Sequence, residues 1–271
     1  LLRAAKAVSL VYSFDGESLS GDEAELPRIA ALAAQSIDEL HAHVAELIRR
    51  QLIQRRSRWR ALLPHALAHK LAKEALQDFP PERVRQNLID GAPERLLKSF
   101  SRRIGCLHDS AEAQVIVAQW LGKDGLLSKV EDLDEVGIVI LDNVAPVNPD
   151  AVIEAIEAAV MRGRIVFDQR SHLDRVVSLL RALAYEPEKF DQAMTLVVRL
   201  THGDTESNNT GAAINVFKSL FYLYLSGTHA RAKQRADYLR TLAASKVDNR
   251  EQLVVSGLDA MLECNHFSSG Y

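Results

Sequence analysis

Two amphipathic segments separated by only two residues constrain the fold of this chain more than any other feature. Apolar residues at helical spacing precede Ala34-Gln35 and follow it again, at positions 26, 29, 32 and 33 and at positions 37, 40, 44, 47 and 48. Ser36 and Glu39 have the spacing of a capping box, in which each side chain satisfies a free amide of the first helical turn. Asp22 and Glu25 repeat this spacing before the first segment. Two helices joined by so short a turn predict a helix-turn-helix.

The residues that follow predict a β-hairpin and a further helix. Two β-prone runs, 52–55 and 58–63, flank Arg56-Ser57, although the turn lacks the Asn-Gly or Asp-Gly pair that marks many hairpins. Pro64 then opens a helix over 65–79, since proline at a helix start gives up an amide that has no partner there. A helix over 1–14, ended by a turn at 15–16, completes a winged helix-turn-helix domain over residues 1–80.

The remainder of the chain predicts helices throughout. Residues 81–130 form a helical connector, which includes a helix over 111–121. A pattern of Leu-x-x-apolar-Ala, a polar turn and a second helix begins at Leu141, Leu180 and Leu239. The first two copies lie 39 residues apart, as in HEAT-type helix pairs, and the third leaves room for an extra helix over 212–225. We therefore predict a mainly α fold with HEAT-like repeats over 131–271, an α-solenoid, with an irregular helical bundle as the alternative. A polar loop is expected at 201–210.

Six arginines within twelve residues form a predicted basic patch around the hairpin: Arg49, Arg50, Arg55, Arg56, Arg58 and Arg60. Such a patch suits phosphate or an acidic protein surface, and a solvated turn is the alternative. A helix that reads the major groove needs Arg, Lys, Asn or Gln near its start, whereas this one begins with Asp38 and Glu39. Nucleic acid is therefore not the expected partner, although the arginines would suit a phosphate backbone without sequence preference.

The sequence contains no recognisable catalytic motif. It has neither a Gly-x-x-x-x-Gly-Lys-Ser/Thr phosphate loop nor a Gly-x-Ser-x-Gly nucleophile elbow. His65 and His69 have metal-ligand spacing but no third ligand or intervening glutamate, so no metal is expected. Cys106 and Cys264 are expected to pack as small apolar residues, and two cysteines suit a reducing cytoplasm. Apolar runs are shorter than the about 18 residues of a membrane span.

The run Leu47-Ile-Arg-Arg-Gln-Leu52-Ile53, the hairpin, and Pro64-His65-Ala66 with the helix after it resemble the winged-helix domain of STAND NTPases. These are NLR-like signalling ATPases, and similar bacterial members act in antiphage defence. In the family the corresponding helix opens with Met-His-Asp, whose histidine touches the β-phosphate of bound ADP. The match is at His65 alone, because Ala66 stands at the acidic position. The resemblance implies that His65 senses the nucleotide.

The resemblance also implies a role for the whole chain. It would be the regulatory, ligand-sensing segment of a STAND-type NTPase, with helical repeats that bind a protein ligand and an active state that forms homo-oligomers. The segment would hold no cofactor of its own, and ADP or ATP would bind a core upstream of Leu1, since the chain starts as if within a helix. The alternative is a winged-helix nucleic-acid-binding regulator with a helical oligomerisation domain. A helical enzyme is a third possibility for which the sequence names no residues.

Overall fold

A computed structural model of the chain describes residues 1–162, 170–202 and 210–263. Fourteen α-helices and three short strands lie in these ranges, so the expected mainly α fold is confirmed. The chain forms two compact units, one of Leu1–Ser128 with Val139–Asn148 and one of Lys129–Ile138 with the described part of 149–271. The winged-helix and solenoid assignments, and the domain boundaries at 80 and 130, stay predictions.

The elements of the first half alternate helices with three strands. They are α1 (Leu2–Ser9), β1 (Phe14–Asp15), α2 (Leu26–Ala33), α3 (Ile37–Arg49), β2 (Ile53–Arg56), β3 (Trp59–Leu62), α4 (His65–Asp78), α5 (Pro81–Leu88), α6 (Glu94–Gly105) and α7 (Ala111–Leu121). The predicted hairpin is confirmed, since β2 and β3 pair antiparallel across a turn in which Ser57 has a φ of 52°. α1 packs against α2, α3, α4 and β3, which makes it the centre of this part of the core.

The first helix is shorter than the sequence pattern predicts. α1 ends at Ser9 rather than at residue 14, and Phe14 and Asp15 instead form a strand opposite Arg60 and Trp59. The sheet order is β1-β3-β2. Phe14 is completely buried in this position. The chain therefore pairs with the hairpin as a strand here instead of continuing as a helix.

One of the two predicted capping boxes is present. Ser36 accepts a hydrogen bond from the Glu39 amide and the Glu39 carboxylate accepts one from the Ser36 amide, at 3.2 and 2.8 Å. The box at Asp22 and Glu25 is wrong, because Glu25 itself precedes the first helical residue and makes no capping bond. Its buried carboxylate accepts hydrogen bonds from the Asp15 amide and from Arg95 instead.

The second half contains α8 (Glu135–Val144), α9 (Pro149–Met161), α10 (Arg170–Leu183), α11 (Pro187–His202), α12 (Thr210–Ser219), α13 (Ala232–Ala243) and α14 (Arg250–Leu262), with a short 3-10 turn at Val130–Asp132. α10 packs on α11, and α13 packs on α14. The first predicted helix pair is divided, because Val139–Asn148 belongs to the first unit and α9 to the second. The expected loop at 201–210 lies largely outside the described residues.

The extra helix of the second unit ends earlier than predicted, at Ser219 rather than at residue 225. The buried side chain of Arg235 explains the end, because it donates hydrogen bonds to the carbonyl oxygens of Tyr222, Thr228 and Ala230. Those bonds fix an irregular segment where the helix would continue. The same unit contains an aromatic cluster of Phe190, Phe217, Phe221 and Tyr238. Burial raises the pKa of Tyr238 to about 12.

Candidate functional site

The two arginines at the end of α3 share one acidic partner. Arg49 and Arg50 both bind the carboxylate of Glu46, at 2.6 and 2.7 Å, as i,i+3 and i,i+4 pairs on one exposed helix face. The start of the same helix is acidic, because Asp38 is exposed and Glu39 belongs to the capping box. Because two guanidinium groups share one carboxylate, the end of α3 keeps a net positive charge, whereas its start is negative.

The arginines of the hairpin are mostly paired as well. Arg58 binds Asp15, and the guanidinium of Arg60 is buried, where it donates to the Ser57 carbonyl oxygen at 2.6 Å. Arg55 and Arg60 lie 3.7 and 3.3 Å from the Glu17 carboxylate. Arg56 is exposed and forms no ion pair with any described residue. Five of the six predicted patch residues thus contact acidic side chains of the same unit, and Arg56 is left as the unpaired cation of the hairpin.

Asp15 is the acidic centre of this network. Its side chain is only 2% exposed. Burial alone would raise the pKa of Asp15, but hydrogen bonds from the Glu17 amide, the Ser18 hydroxyl, the Arg58 guanidinium and the Ser18 amide outweigh it and lower the pKa to about 2. The carboxylate is therefore held ionised inside the fold.

We expect Asp15→Asn to lower the free energy of unfolding at pH 7 by about 2 kcal/mol, since each pKa unit corresponds to about 1.4 kcal/mol. The folded-state pKa lies below the unfolded value of 3.8, so this stabilisation is present above pH 4 and is lost as the pH falls towards 2. Urea unfolding of both proteins at several pH values measures the difference. Asp22→Asn, at an exposed acid nearby, is the matched control. A difference that did not shrink between pH 4 and 2 would contradict the assignment.

His65 lies where the resemblance predicts, in the first turn of α4. Pro64 precedes the helix and provides no side-chain cap, and the first turn contains no acidic residue. Pro64, His65 and Ala66 are exposed. The amides of this turn are consequently open to solvent at the positive end of the helix dipole, which is the ordinary setting of an anion at a helix N-terminus.

An aromatic stack connects His65 with two arginines of α6. The His65 ring stacks on Tyr12 with centroids 5.4 Å apart and lies 6.2 Å from His69. The guanidinium carbons of Arg102 and Arg103 lie 3.8 and 5.5 Å from the centroid of the Tyr12 ring. The pKa of His69 is lowered, mainly by burial and secondly by the positive charge of Arg103. Sequence reasoning missed this grouping, because Tyr12 and the arginines lie some ninety residues apart in the chain.

Arg103 is completely buried and incompletely satisfied. Its Nη2 donates to the Val11 carbonyl oxygen at 3.5 Å, whereas Nε and Nη1 have no hydrogen-bond partner among the described residues. By contrast, Arg235, a buried arginine of the second unit, donates to three carbonyl oxygens, and each of its buried side-chain nitrogens has a hydrogen-bond partner. Burial lowers the pKa of Arg103, but a guanidinium stays protonated at neutral pH. A buried charge without a partner is costly, so the positive charge beside Tyr12 favours a nearby anion.

The remaining candidates show no chemistry in the described part of the chain. No group of three His, Cys, Asp or Glu side chains there is placed to hold a metal ion. Cys106 is half-buried rather than buried, and its thiol donates to the Arg102 carbonyl oxygen at 3.4 Å. Cys264 lies outside the described residues. No described helix has both the length and the apolar character to cross a membrane. The sequence matches no protein-family model and no curated protein, and the fold matches no solved structure.

Proposed function

We propose that this chain is a regulatory, ligand-sensing segment of a STAND-type signalling NTPase. In this proposal residues 1–80 form a winged-helix domain and His65 contacts the β-phosphate of ADP in the inactive state. The helices after residue 131 form HEAT-like repeats that bind a protein ligand. The chain has no phosphate loop of its own, so the proposal requires a P-loop elsewhere in the same polypeptide.

The observation that carries the proposal is the setting of His65. His65 is exposed at an uncapped helix start, and it stacks on the Tyr12 ring, which also contacts the guanidinium groups of Arg102 and Arg103. The order of elements is a second support. A helix, a strand, two helices joined by a short turn and an antiparallel hairpin, with β1 on the outer side of β3, is the order expected of a winged helix.

In the full-length protein we expect His65→Ala to weaken ADP binding roughly ten- to hundredfold, because one hydrogen bond to a charged phosphate is worth about 1.5–3 kcal/mol. Loss of that bond would also favour the active, oligomeric state, since a ligand shifts an equilibrium only through its differential affinity for the two states. ADP titration and sedimentation velocity of mutant and wild type measure the two effects.

His41→Ala is the matched control, because His41 is an exposed histidine of α3. Unchanged ADP affinity and oligomer size in a folded His65→Ala protein would refute the nucleotide-sensing role.

The alternative, a nucleic-acid-binding regulator, rests on the same helix-turn-helix and hairpin. Arg56 is the exposed arginine of the hairpin that pairs with no described acid, and the other five patch residues contact Glu46, Glu17 or Asp15. These three carboxylates offset half of the charge of the six arginines, so binding to a phosphate backbone would be weakened and would decay steeply with salt. A sequence-specific complex with duplex DNA that survives 0.2 M salt would favour this alternative over the STAND reading.

A further inference from the structure

A pocket of about 320 Å³ lies beside the Tyr12 ring, within the first unit. Its wall comes from the segment after α1, from α6 and from the second half of α8. The polar and aromatic residues that matter are Tyr12, Ser99, Asn143, Arg95, Lys98 and Arg102. The volume is at the lower end of the range of small-molecule sites, about 300–1,000 Å³.

The charge of the pocket is one-sided. Arg95, Lys98 and Arg102 lie three and four residues apart and therefore share one face of α6. None of the described residues that line the pocket is acidic. Arg95 is neutralised by the buried Glu25, but Lys98 is only 3.9 Å from the exposed Glu94. Arg102 forms no ion pair with any described residue. Arg102 thus lies at a concave surface without an acidic partner among the described residues, and the partner of Lys98 is an exposed i,i+4 acid whose charge solvent screens.

Hydrogen bonds hold the wall in place. Ser99 accepts from the Ser13 amide at 2.9 Å and donates to the Ser13 carbonyl oxygen at 2.5 Å, which ties the segment after α1 to α6. Asn143 on α8 donates to the Ser101 hydroxyl at 2.9 Å. Arg102 lies over the Tyr12 ring, which restricts its rotamers. A ligand would consequently find its contacts largely preformed, which lowers the entropic cost of binding.

We infer that this pocket binds the phosphoryl group of a small anionic ligand. Arg102, which has no acidic partner among the described residues, and Lys98, which has only a weak surface pair with Glu94, suit a phosphate monoester or inorganic phosphate. Arg and Lys are the usual donors to such groups. Tyr12 already contacts Arg102 and His65, so it provides no free face for a base. Recognition therefore resides in the phosphoryl group. The site adjoins His65 through the Tyr12 ring, but the inference does not require the ADP contact proposed at His65.

Calorimetric titration of the purified 271-residue chain with inorganic phosphate, and separately with AMP, tests the site at low ionic strength. We expect saturable binding with one site per chain, weakened roughly tenfold or more by Lys98→Gln and by Arg102→Gln because each removes a charged hydrogen bond. Lys123→Gln, at an exposed lysine outside the pocket, is the matched control. Circular dichroism of each variant verifies folding.

The two titrants distinguish the source of the phosphoryl group. Equal affinities identify free phosphate or any phosphate ester as the ligand, and tighter binding of AMP identifies a nucleotide, and either result supports the site. The His65 proposal is tested by ADP binding and oligomer size of the full-length His65→Ala protein, and this one by Lys98→Gln and Arg102→Gln in the 271-residue chain, so failure of one is separable from failure of the other. No saturable binding up to about 10 mM, a concentration that exceeds a dissociation constant of about 1 mM tenfold, would overturn the inference. Equal affinities for Lys98→Gln and Lys123→Gln would overturn it as well.

Discussion

Gly105→Ala is expected to lower the free energy of unfolding of the first unit by about 3 kcal/mol or more. Gly105 is the last residue of α6, and a Cβ atom there would lie 1.9 Å from the Asn143 carbonyl oxygen and 3.0 Å from its carbonyl carbon. Both are backbone atoms of α8, so no side-chain rotation relieves the overlap. The two helices would have to separate by more than an ångström, which removes packing contacts on both sides.

Tryptophan fluorescence during urea unfolding is a selective measurement of this effect. The chain has two tryptophans, Trp59 and Trp120, and both belong to the first unit. Lys123→Ala is the control, because Lys123 is an exposed residue of the same unit, and it should change the transition by less than about 1 kcal/mol. A Gly105→Ala transition at the wild-type midpoint would show that α6 and α8 are not in such close contact.

Glu25→Gln is expected to cost about 3 kcal/mol of the same unfolding free energy. The Glu25 carboxylate is 2% exposed, pairs with Arg95 and accepts the Asp15 amide hydrogen bond at 2.7 Å. The glutamine amide has nearly the same shape but no charge, and its N–H groups are donors like those of Arg95. The positive charge of Arg95 would therefore be left uncompensated. The pair therefore connects β1, α2 and α6, and its loss should loosen all three.

Glu23→Gln, at an exposed acid two residues away, provides the control for charge loss alone. Because a buried pair is screened much less than a surface pair, the Glu25→Gln cost should persist in 1 M salt. A cost below about 1 kcal/mol that disappeared in salt would be the behaviour of an ordinary surface ion pair and would contradict the structural role.

Features that depend on neighbours in the chain were predictable from the sequence. The capping box at Ser36 and Glu39, the helix-turn-helix spacing and the hairpin around Ser57 each involve residues within a few positions of one another, so their pattern is visible in the sequence. Ala111–Leu121 begins and ends where its flanking Ser110 and Gly122 indicate. The mainly α character follows from the same periodicity.

Features that depend on distant partners were not predictable. Asp22 and Glu25 have the capping-box spacing, but Glu25 instead accepts hydrogen bonds from Arg95, 70 residues further along the chain. Phe14 continues an apparent helix, but the hairpin offers it a strand partner. The arginines of the predicted patch look free in the sequence, and only the fold brings Glu17 and Asp15 against them. Charge in a sequence does not reveal which acids will neutralise it.

The division of α8 has a practical consequence for the dissection of this protein. Because the ten residues from Val139 to Asn148 complete the first unit, a fragment that stops at Ser128 would leave the Gly105 surface of α6 uncovered and the pocket without Asn143. A fragment that includes them necessarily carries Lys129–Ile138, which the second unit uses. The two units therefore cannot be excised as simple consecutive pieces, and truncations meant to isolate one of them will damage the other.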